Sequence, residues 1–272
     1  AMWQKLQLNF PKSFFYAFLI SLPLGTRFLV YQFTTGFHEY ESIFIYLSDI
    51  FFILFIIFNF KFLIFNKFLS LRDISQRETI SNLAIIVFLA ITAVSIFFAP
   101  SKGLVVYNFV RLVLLILFTF STAKILKTGL VKLENIFAIL AGSAVFQSLL
   151  AIFQFVKQSS LGLGILGEPL LNTETGGIAK IVVGGAKILR AYGTFPHPNV
   201  LAAFLLLGLC AFLYFWLKKP SILSGLGTFV VLFGLLFAFS RTAWVIAILI
   251  LAAVIFYYRS WKLAILIAGV LA

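Results

Sequence analysis

The segment from Arg190 to Asn199 concentrates residue types that can do chemistry, in a chain that is otherwise mostly apolar. It reads Arg-Ala-Tyr-Gly-Thr-Phe-Pro-His-Pro-Asn. Arg190 offers a planar fork of donors that suits phosphate or carboxylate. Pro198 can open a helix, because its missing N–H would be unpaired in the first turn, and the free N–H groups of a helix start favour an anion. The segment is therefore a candidate anion-binding site.

Three other residues of this segment are candidates as well. His197 can serve as a general base, or its ring can hydrogen-bond to the backbone and hold the turn. We treat it as a candidate catalytic residue and leave both interpretations open. Asn199 follows Pro198 at the expected helix start, and Gly193 lies five positions before Pro198. We expect Gly193, Pro198 and Asn199 to take part in substrate binding.

Two more arginines lie beside or within apolar runs. Arg241 stands between two runs, in Ser-Arg-Thr-Ala-Trp, and Arg111 lies inside another run. Arginines that converge near the membrane surface would bind an anion carried by a lipid, such as a polyprenyl diphosphate. Alternatively, each guanidinium separately reaches lipid phosphate, or Arg111 forms a buried pair. We expect Arg190 and Arg241 to be catalytic and Arg111 to bind substrate.

Polar side chains elsewhere have weaker functional signals. Gln147 and Gln154 are seven residues apart, so they share a helical face that should point into the helix bundle. Gln154, just before a long loop, could also contact a sugar or phosphate, and Glu168 is one of two carboxylates in that loop. We include Gln154 and Glu168 among the expected substrate-binding residues. Asp49 could pair with an arginine.

The composition is that of a polytopic membrane protein. Hydrophobic residues make up 62% of the chain, charged residues 11%, and the mean hydropathy is +1.13. The net charge of +13 lies mostly in short loops between apolar runs, which indicates topology rather than nucleic-acid binding. The sequence has no Cys/His metal spacing, no phosphate-binding P-loop and no Gly-x-Ser-x-Gly elbow. We therefore expect no metal, no cofactor and no nucleic-acid partner.

Apolar runs predict an all-α, polytopic transmembrane helical bundle of about nine spans, since each span needs ~20 apolar residues. The predicted spans are 13–32, 43–60, 81–98, 104–123, 135–156, 198–217, 222–239, 242–258 and 261–272. No repeat or linker divides them, so residues 1–272 are expected to form one transmembrane domain.

Basic residues orient this bundle. With a cytoplasmic N-terminus, the inner connections carry 13 of the 21 Lys and Arg residues. They are Lys5, Lys12, Lys61, Lys67, Arg72, Arg77, Lys124, Lys127, Lys132, Lys218, Lys219, Arg259 and Lys262. The positive-inside rule favours this orientation, typical of an integral protein of the cytoplasmic (inner) membrane. It makes residues 157–197 a long extracytoplasmic loop, too apolar to be disordered and expected to fold back against the membrane surface.

The ninth run reaches Ala272 after about 12 apolar residues, fewer than the ~20 of a span. We therefore expect the chain to be the N-terminal portion of a longer protein. The missing part would hold a large outer loop and further spans.

Taken together, these segments resemble the O-antigen ligase family of membrane ligases and polymerases that act on lipid-linked glycans. The resemblance is carried by two runs about 40 residues apart. They are Gly-Thr-Phe-Pro-His-Pro-Asn at 193–199 and Ser-Arg-Thr-Ala-Trp at 240–244, supported by 147–155, 161–163 and 167–169. It covers residues 135–260 well, and the earlier spans by pattern alone.

The resemblance implies a metal-independent, GT-C-like glycosyltransferase at the outer face of the cytoplasmic membrane. It would move a glycan from undecaprenyl diphosphate to a lipid, a glycan or a protein, as in lipopolysaccharide and other cell-envelope polysaccharide synthesis. Arg190 and Arg241 would hold the diphosphate. The family's catalytic histidine would lie after Ala272, so the 272 residues alone are expected to be inactive.

The sequence leaves rival functions open. A transporter or flippase of a lipid-linked saccharide would also need outward-facing cations, although transporters usually show repeated halves and polar groups at the midplane. Within the family, ligase, polysaccharide polymerase and protein O-oligosaccharyltransferase share donor chemistry and differ in acceptor.

Overall fold

A computed structural model describes residues 2–32, 42–65, 76–174 and 176–259, with side chains described outside 2–9, 60–65 and 76–82. The described chain is mainly helical. Its elements are α1 (Met2–Ser21), β1 (Arg27–Gln32), β2 (Ser42–Tyr46), α2 (Leu47–Phe65), α3 (Gln76–Phe98), α4 (Lys102–Lys127), α5 (Leu133–Lys157), a 3-10 turn (Gly164–Leu166), β3 (Lys180–Val183), β4 (Ala186–Leu189), α6 (Pro198–Lys218), α7 (Ile222–Phe237) and α8 (Arg241–Tyr258).

Four described helices, α4, α5, α6 and α8, are long and apolar enough to cross a membrane. The prediction of nine spans is not supported. Helix α7 and the segments of α2 and α3 whose side chains are described, Leu47–Asn59 and Leu83–Phe98, are apolar but shorter than a span. The predicted ninth span, 261–272, lies outside the described residues. Length and composition thus support a membrane protein, with fewer clear spans than the apolar runs predicted.

The predicted helix at 13–32 is wrong in its second half. Helix α1 ends at Ser21, and the chain turns through Pro23 and Gly25 before β1 begins. A Cβ at Gly25 would lie 2.0 Å from the carbonyl oxygen of Thr194, so this residue must be glycine for the two backbones to pack. The break therefore reflects a tertiary contact, which hydropathy does not report.

The described chain is mainly helical, as expected, and it also contains two short antiparallel hairpins that were not predicted. Strand β1 pairs with β2, and β3 pairs with β4. Strand β2 occupies the first residues of the run predicted as a span at 43–60. A short apolar run can form a strand or part of a helix, and periodicity alone does not separate the two.

The chain divides into two compact units. The first unit comprises the residues up to Phe18 together with Arg27–Lys132, and the second comprises Leu19–Thr26 together with the chain from Leu133 onward. No linker-like segment marks this division in the sequence. The first unit packs through aromatic contacts around Phe118, whose ring contacts Phe15, Phe18, Phe52 and Phe55.

The second unit packs α5, α6 and α7 together through small residues. A Cβ at Gly208 of α6 would lie 2.1 Å from that of Ala144 on α5. A Cβ at Gly234 of α7 would lie 2.6 Å from Ser148 on α5. Small residues of this kind let apolar helices approach closely where lipid offers no hydrophobic gain. This bundle is the scaffold that carries the candidate site.

Candidate functional site

Two buried glutamines of α5 hold the segment 190–199 in place. Gln147 donates to Thr194 Oγ1 (2.8 Å) and to Pro23 O (2.9 Å), and its Oε1 accepts from Thr194 N (3.0 Å). Gln154 accepts from the N–H groups of Tyr192 and Gly193 and donates to Gly193 O. Both side chains are buried, which confirms that they share an inward-facing helical side. We call this set of bonds the glutamine latch.

The latch explains why residue 193 is glycine. Gly193 has a φ of +58°, and a Cβ there would lie 2.3 Å from Gln147 Oε1. Gln154 and Gly193, expected to bind substrate, therefore have a structural role in the described chain. Their hydrogen-bonding groups are directed at the protein itself.

Glu168, also expected to bind substrate, folds the long loop instead. Its carboxylate accepts from Leu161 N (2.6 Å), Leu163 N (2.7 Å) and Gln154 Nε2 (2.8 Å), and it is buried. Three donors at these distances stabilise a carboxylate within a loop. The loop 157–197 is accordingly folded, as its apolar composition predicted, with a 3-10 turn and the β3–β4 hairpin.

His197 caps α6. Its Nδ1 accepts a hydrogen bond from Asn199 N (3.1 Å), and Pro198 occupies the first position of the helix. This is the turn-holding alternative for His197, and the helix start predicted at Pro198 is confirmed. Pro198 is buried, whereas Asn199 is exposed.

Arg190 joins three elements of the second unit. Its Nε donates to Ala238 O (2.9 Å) beyond the end of α7, and Nη2 donates to Asn199 Oδ1 (2.7 Å) on α6. The backbone N–H of Ala191 donates to Phe237 O (3.0 Å), so this segment caps the C-terminus of α7. A cation there also suits the helix dipole. Partial burial lowers the pKa of the Arg190 guanidinium.

Arg241 opens α8 after a tight turn. Phe239, at φ +49°, takes the left-handed conformation between α7 and α8, and its ring contacts Phe155 and Trp244. Trp244 Nε1 donates to Leu235 O (3.0 Å), which fixes the indole. The Arg241 side chain is exposed and has no ion pair or hydrogen bond within the described residues.

Arg190 and Arg241 line one cleft of about 580 Å³. We call it the arginine cleft, and its lining residues are Lys180, Ile181, Arg190, Asn199, Phe239, Ser240, Arg241, Thr242 and Trp244. Three of these nine side chains are cationic, and none of these described lining residues is a carboxylate. The volume falls within the ~300–1,000 Å³ range of small-molecule sites. The convergence expected for Arg190 and Arg241 is therefore present.

The start of α8 adds to the positive potential of the arginine cleft. Ser240 to Thr242 form this start, whereas the first N–H groups of α6 already donate to His197. Ser240 makes no side-chain capping bond to α8. N–H groups at helix starts carry partial positive charge and favour anions. The cleft thus combines side-chain and backbone groups that suit a multiply charged anion.

Arg111, expected to bind substrate, belongs to the first unit and is paired there. Its Nη2 lies 2.8 Å from Asp49 Oδ1, and its Nη1 donates to Tyr107 Oη (2.8 Å). The arginine pair considered for Asp49 is therefore present. This pairing supports a structural role for Arg111.

Sequence reasoning missed Lys180 as a member of the cleft. The signal was present, since Gly184-Gly185 lies between Ile181-Val182-Val183 and Ala186-Lys187-Ile188. A Gly-Gly pair between apolar runs favours a two-residue hairpin turn, and both glycines have positive φ. Recognising the hairpin would have placed Lys180 at its root, next in space to Leu189 and so beside Arg190.

The described residues contain no group of three or more His, Cys, Asp or Glu side chains that could hold a metal ion. No family model matches the chain, and no curated protein or solved structure is significantly similar to it.

Proposed function

We propose that the arginine cleft binds the diphosphate of a polyprenyl-linked glycan, and that the protein is a membrane glycosyltransferase of the O-antigen ligase type. Undecaprenyl diphosphate would carry the donor glycan, and a lipid, another glycan or a protein would accept it. The resemblance of residues 193–199 and 240–244 to that family is what suggests the reaction.

One observation supports this proposal above the others. Arg190 and Arg241 line the same cleft, together with Lys180, and none of the described lining residues is a carboxylate. Cations gathered in one cleft attract a multiply charged anion, and guanidinium groups match phosphate geometry. A diphosphate is the ligand of this kind that a membrane enzyme would meet on a lipid carrier.

The chemistry requires little beyond these groups. Glycosyl transfer from a polyprenyl diphosphate breaks the bond between the anomeric carbon and the phosphate oxygen, and negative charge develops on that oxygen. Preorganised cations lower the barrier for such a step most effectively where water is scarce. The sugar is already activated by its leaving group, so no ATP is needed.

The proposed placement follows the positive-inside rule. The N-terminus would be cytoplasmic, and the arginine cleft would open at the outer face of the cytoplasmic membrane. The membrane lipids would then present the polyprenyl tail at the level of the spans, with its headgroup at the cleft.

A transporter or flippase of a lipid-linked saccharide is the main alternative. Transport sites commonly lie near the membrane midplane, on polar residues of discontinuous helices. In the second unit the polar amides within the bundle, Gln147 and Gln154, bond to the protein itself. The cations gather instead at helix ends, which favours the enzyme.

The test is Arg241→Ala with Arg259→Ala as its control. Both arginines are exposed and lie at opposite ends of α8. The two variants therefore remove the same charge from the same helix at different places. Equilibrium binding of undecaprenyl diphosphate would be measured in nanodiscs. Glycan transfer would be measured in membranes that hold the wild-type protein or one of the two variants. We expect Arg241→Ala to weaken binding about a hundredfold, as for loss of charge-assisted bonds, and to abolish transfer. The control should change neither.

Near-normal transfer by the Arg241→Ala protein would refute the assignment. Binding of the diphosphate with no transfer by the native protein, but with its movement across the bilayer, would favour the transporter instead.

A further inference from the structure

The root of the β3–β4 hairpin carries a third cation into the arginine cleft. Resting on the function proposed above, we infer that Lys180 binds the charge that appears on the departing diphosphate. It would discriminate between the donor and the product of the reaction. Arg190 and Arg241 would hold both.

The hairpin root is anchored on three sides, so the backbone of Lys180 has a fixed position. Ala179 O accepts from Arg190 N (3.3 Å), and Ala179 N donates to Tyr192 Oη (2.7 Å). Leu189, which pairs with Lys180 across the hairpin, donates its N–H to Gln158 Oε1 (2.7 Å). Leu189 and Tyr192 are buried in one apolar cluster. The backbone that carries Lys180 is therefore held in place beside the cleft.

A second lysine, Lys187, lies near the tip of the same hairpin and outside the arginine cleft. Lys187 pairs with Val182, is exposed, and does not line the cleft. The two lysines thus share a hairpin, a charge and a residue type, and differ in position. This makes Lys187 a matched control for Lys180.

The number of cations fits the product better than the donor. In the donor, each phosphate of the diphosphate carries one negative charge, because both ends are esterified. Transfer breaks the bond from the anomeric carbon to the phosphate oxygen, and the electron pair stays on that oxygen. The acceptor hydroxyl oxygen forms the new bond to the anomeric carbon, and its proton is released to water. The freed terminal phosphate then carries a second charge above its pKa of about 6.

Lys180, Arg190 and Arg241 together match the three charges of the free diphosphate. A group that binds the departing charge more strongly than the ground state raises the rate of the chemical step rather than the affinity for the donor. Loss of Lys180 should therefore lower kcat more than it raises KM. Arg241, which contacts both states, should affect both constants.

The experiment compares two probes in nanodiscs at pH 8, undecaprenyl diphosphate and its N-acetylglucosaminyl ester. Wild-type protein, Lys180→Gln, Lys187→Gln and Arg241→Ala would be titrated with each probe. We expect wild type to bind the free diphosphate more tightly than the ester. Lys180→Gln should lose about tenfold on the free diphosphate and less than threefold on the ester. Lys187→Gln should bind both as wild type does.

If Lys180→Gln loses affinity equally for both probes, or for neither, the role of Lys180 is overturned. The proposed function still stands in that case if Arg241→Ala loses affinity for both probes. A wild-type protein that binds neither probe would overturn the proposed function together with the inference. Unfolding of Lys180→Gln is monitored by its melting temperature, and Lys180→Arg, which keeps the charge, should retain at least a third of the wild-type affinity.

Discussion

Arginines in the two units of the protein have opposite surroundings. Arg111 of the first unit donates to Asp49 and Tyr107, and its guanidinium lies over the rings of Tyr46 and Tyr107 at 5.7 and 5.5 Å. Arg190 and Arg241 of the second unit line a cleft with Lys180 and no carboxylate among the described lining residues. The first arrangement is neutral in itself, and the second is cationic.

This difference separates an arginine whose charge is balanced within the fold from arginines whose charge a bound anion would balance. An ion pair satisfies its own charge, so Arg111 needs nothing from outside the protein. The cleft cations repel one another, and a multiply charged anion relieves that repulsion. The presence or absence of a nearby carboxylate is therefore more informative than the arginine itself.

A carboxylate introduced into the arginine cleft should have the largest effect on ligand binding. Thr242 lines the cleft, is exposed, and lies in the first turn of α8. Thr242→Asp should reduce undecaprenyl diphosphate affinity about a hundredfold, because the new charge pairs with the cations and repels the ligand. The fold should be unharmed, since an acidic residue in the first turn suits the helix dipole. Titration in nanodiscs measures the first effect and thermal unfolding the second.

Thr242→Asn is the neutral control for this change. It has nearly the shape of aspartate without the charge, so affinity should stay within about threefold of wild type. Equal losses with Asn and Asp would show that shape, not charge, is what the substitution disturbs.

The two cleft arginines should differ in their effect on stability. Arg190→Ala removes bonds to Ala238 O and Asn199 Oδ1, so we expect it to lower the free energy of unfolding by about 1–2 kcal/mol. Arg241→Ala should stay within about 0.5 kcal/mol, as is usual for an exposed side chain. Denaturant titration in micelles would measure both. A larger loss for Arg241→Ala would mean that it also holds the fold.

The smallest effect is expected in the first unit. Asp49→Asn leaves Arg111 without its counter-ion, and because the pair is partly exposed we expect a loss of about 1 kcal/mol. Diphosphate affinity should remain within about twofold of wild type. The double variant Asp49→Asn, Arg111→Gln should regain part of the stability. A large loss of affinity in Asp49→Asn would show that Arg111 serves the ligand after all.

Hydropathy predicted the helices well where their ends are marked by local chemistry. Pro198 and the Ser240-Arg241 turn placed the starts of α6 and α8 to within a residue. Hydropathy failed at 13–32, where Gly25 packs against the backbone of Thr194, a residue far away in the sequence. Such contacts leave no local pattern, so the strand at Arg27–Gln32 was read as helix.

The site could be predicted in its charge but not in its geometry. An arginine among apolar runs indicates either a functional site or a buried ion pair, and the residue type alone does not distinguish the two. Arg111 proved to be paired, whereas Arg190 and Arg241 share a cleft. Gln154 and Glu168 were assigned to substrate because polar groups stand out in this sequence, yet both bond to backbone groups of the protein. Predicting that Lys180 lies beside Arg190 would have required the register of the β3–β4 hairpin.

The contact between Pro23 and Thr194 has a consequence for synthesis. Thr194 Oγ1 donates to Pro23 O across 171 positions of the chain. Residues 19–26 leave the ribosome early, but their partners in the second unit emerge only after the whole of Arg27–Lys132 has been made. Pro23 therefore cannot form this bond until the later part of the second unit has been made. Assembly of the arginine cleft can only be completed late, and a chain stalled before residue 194 would lack the Thr194 side chain that donates to Pro23.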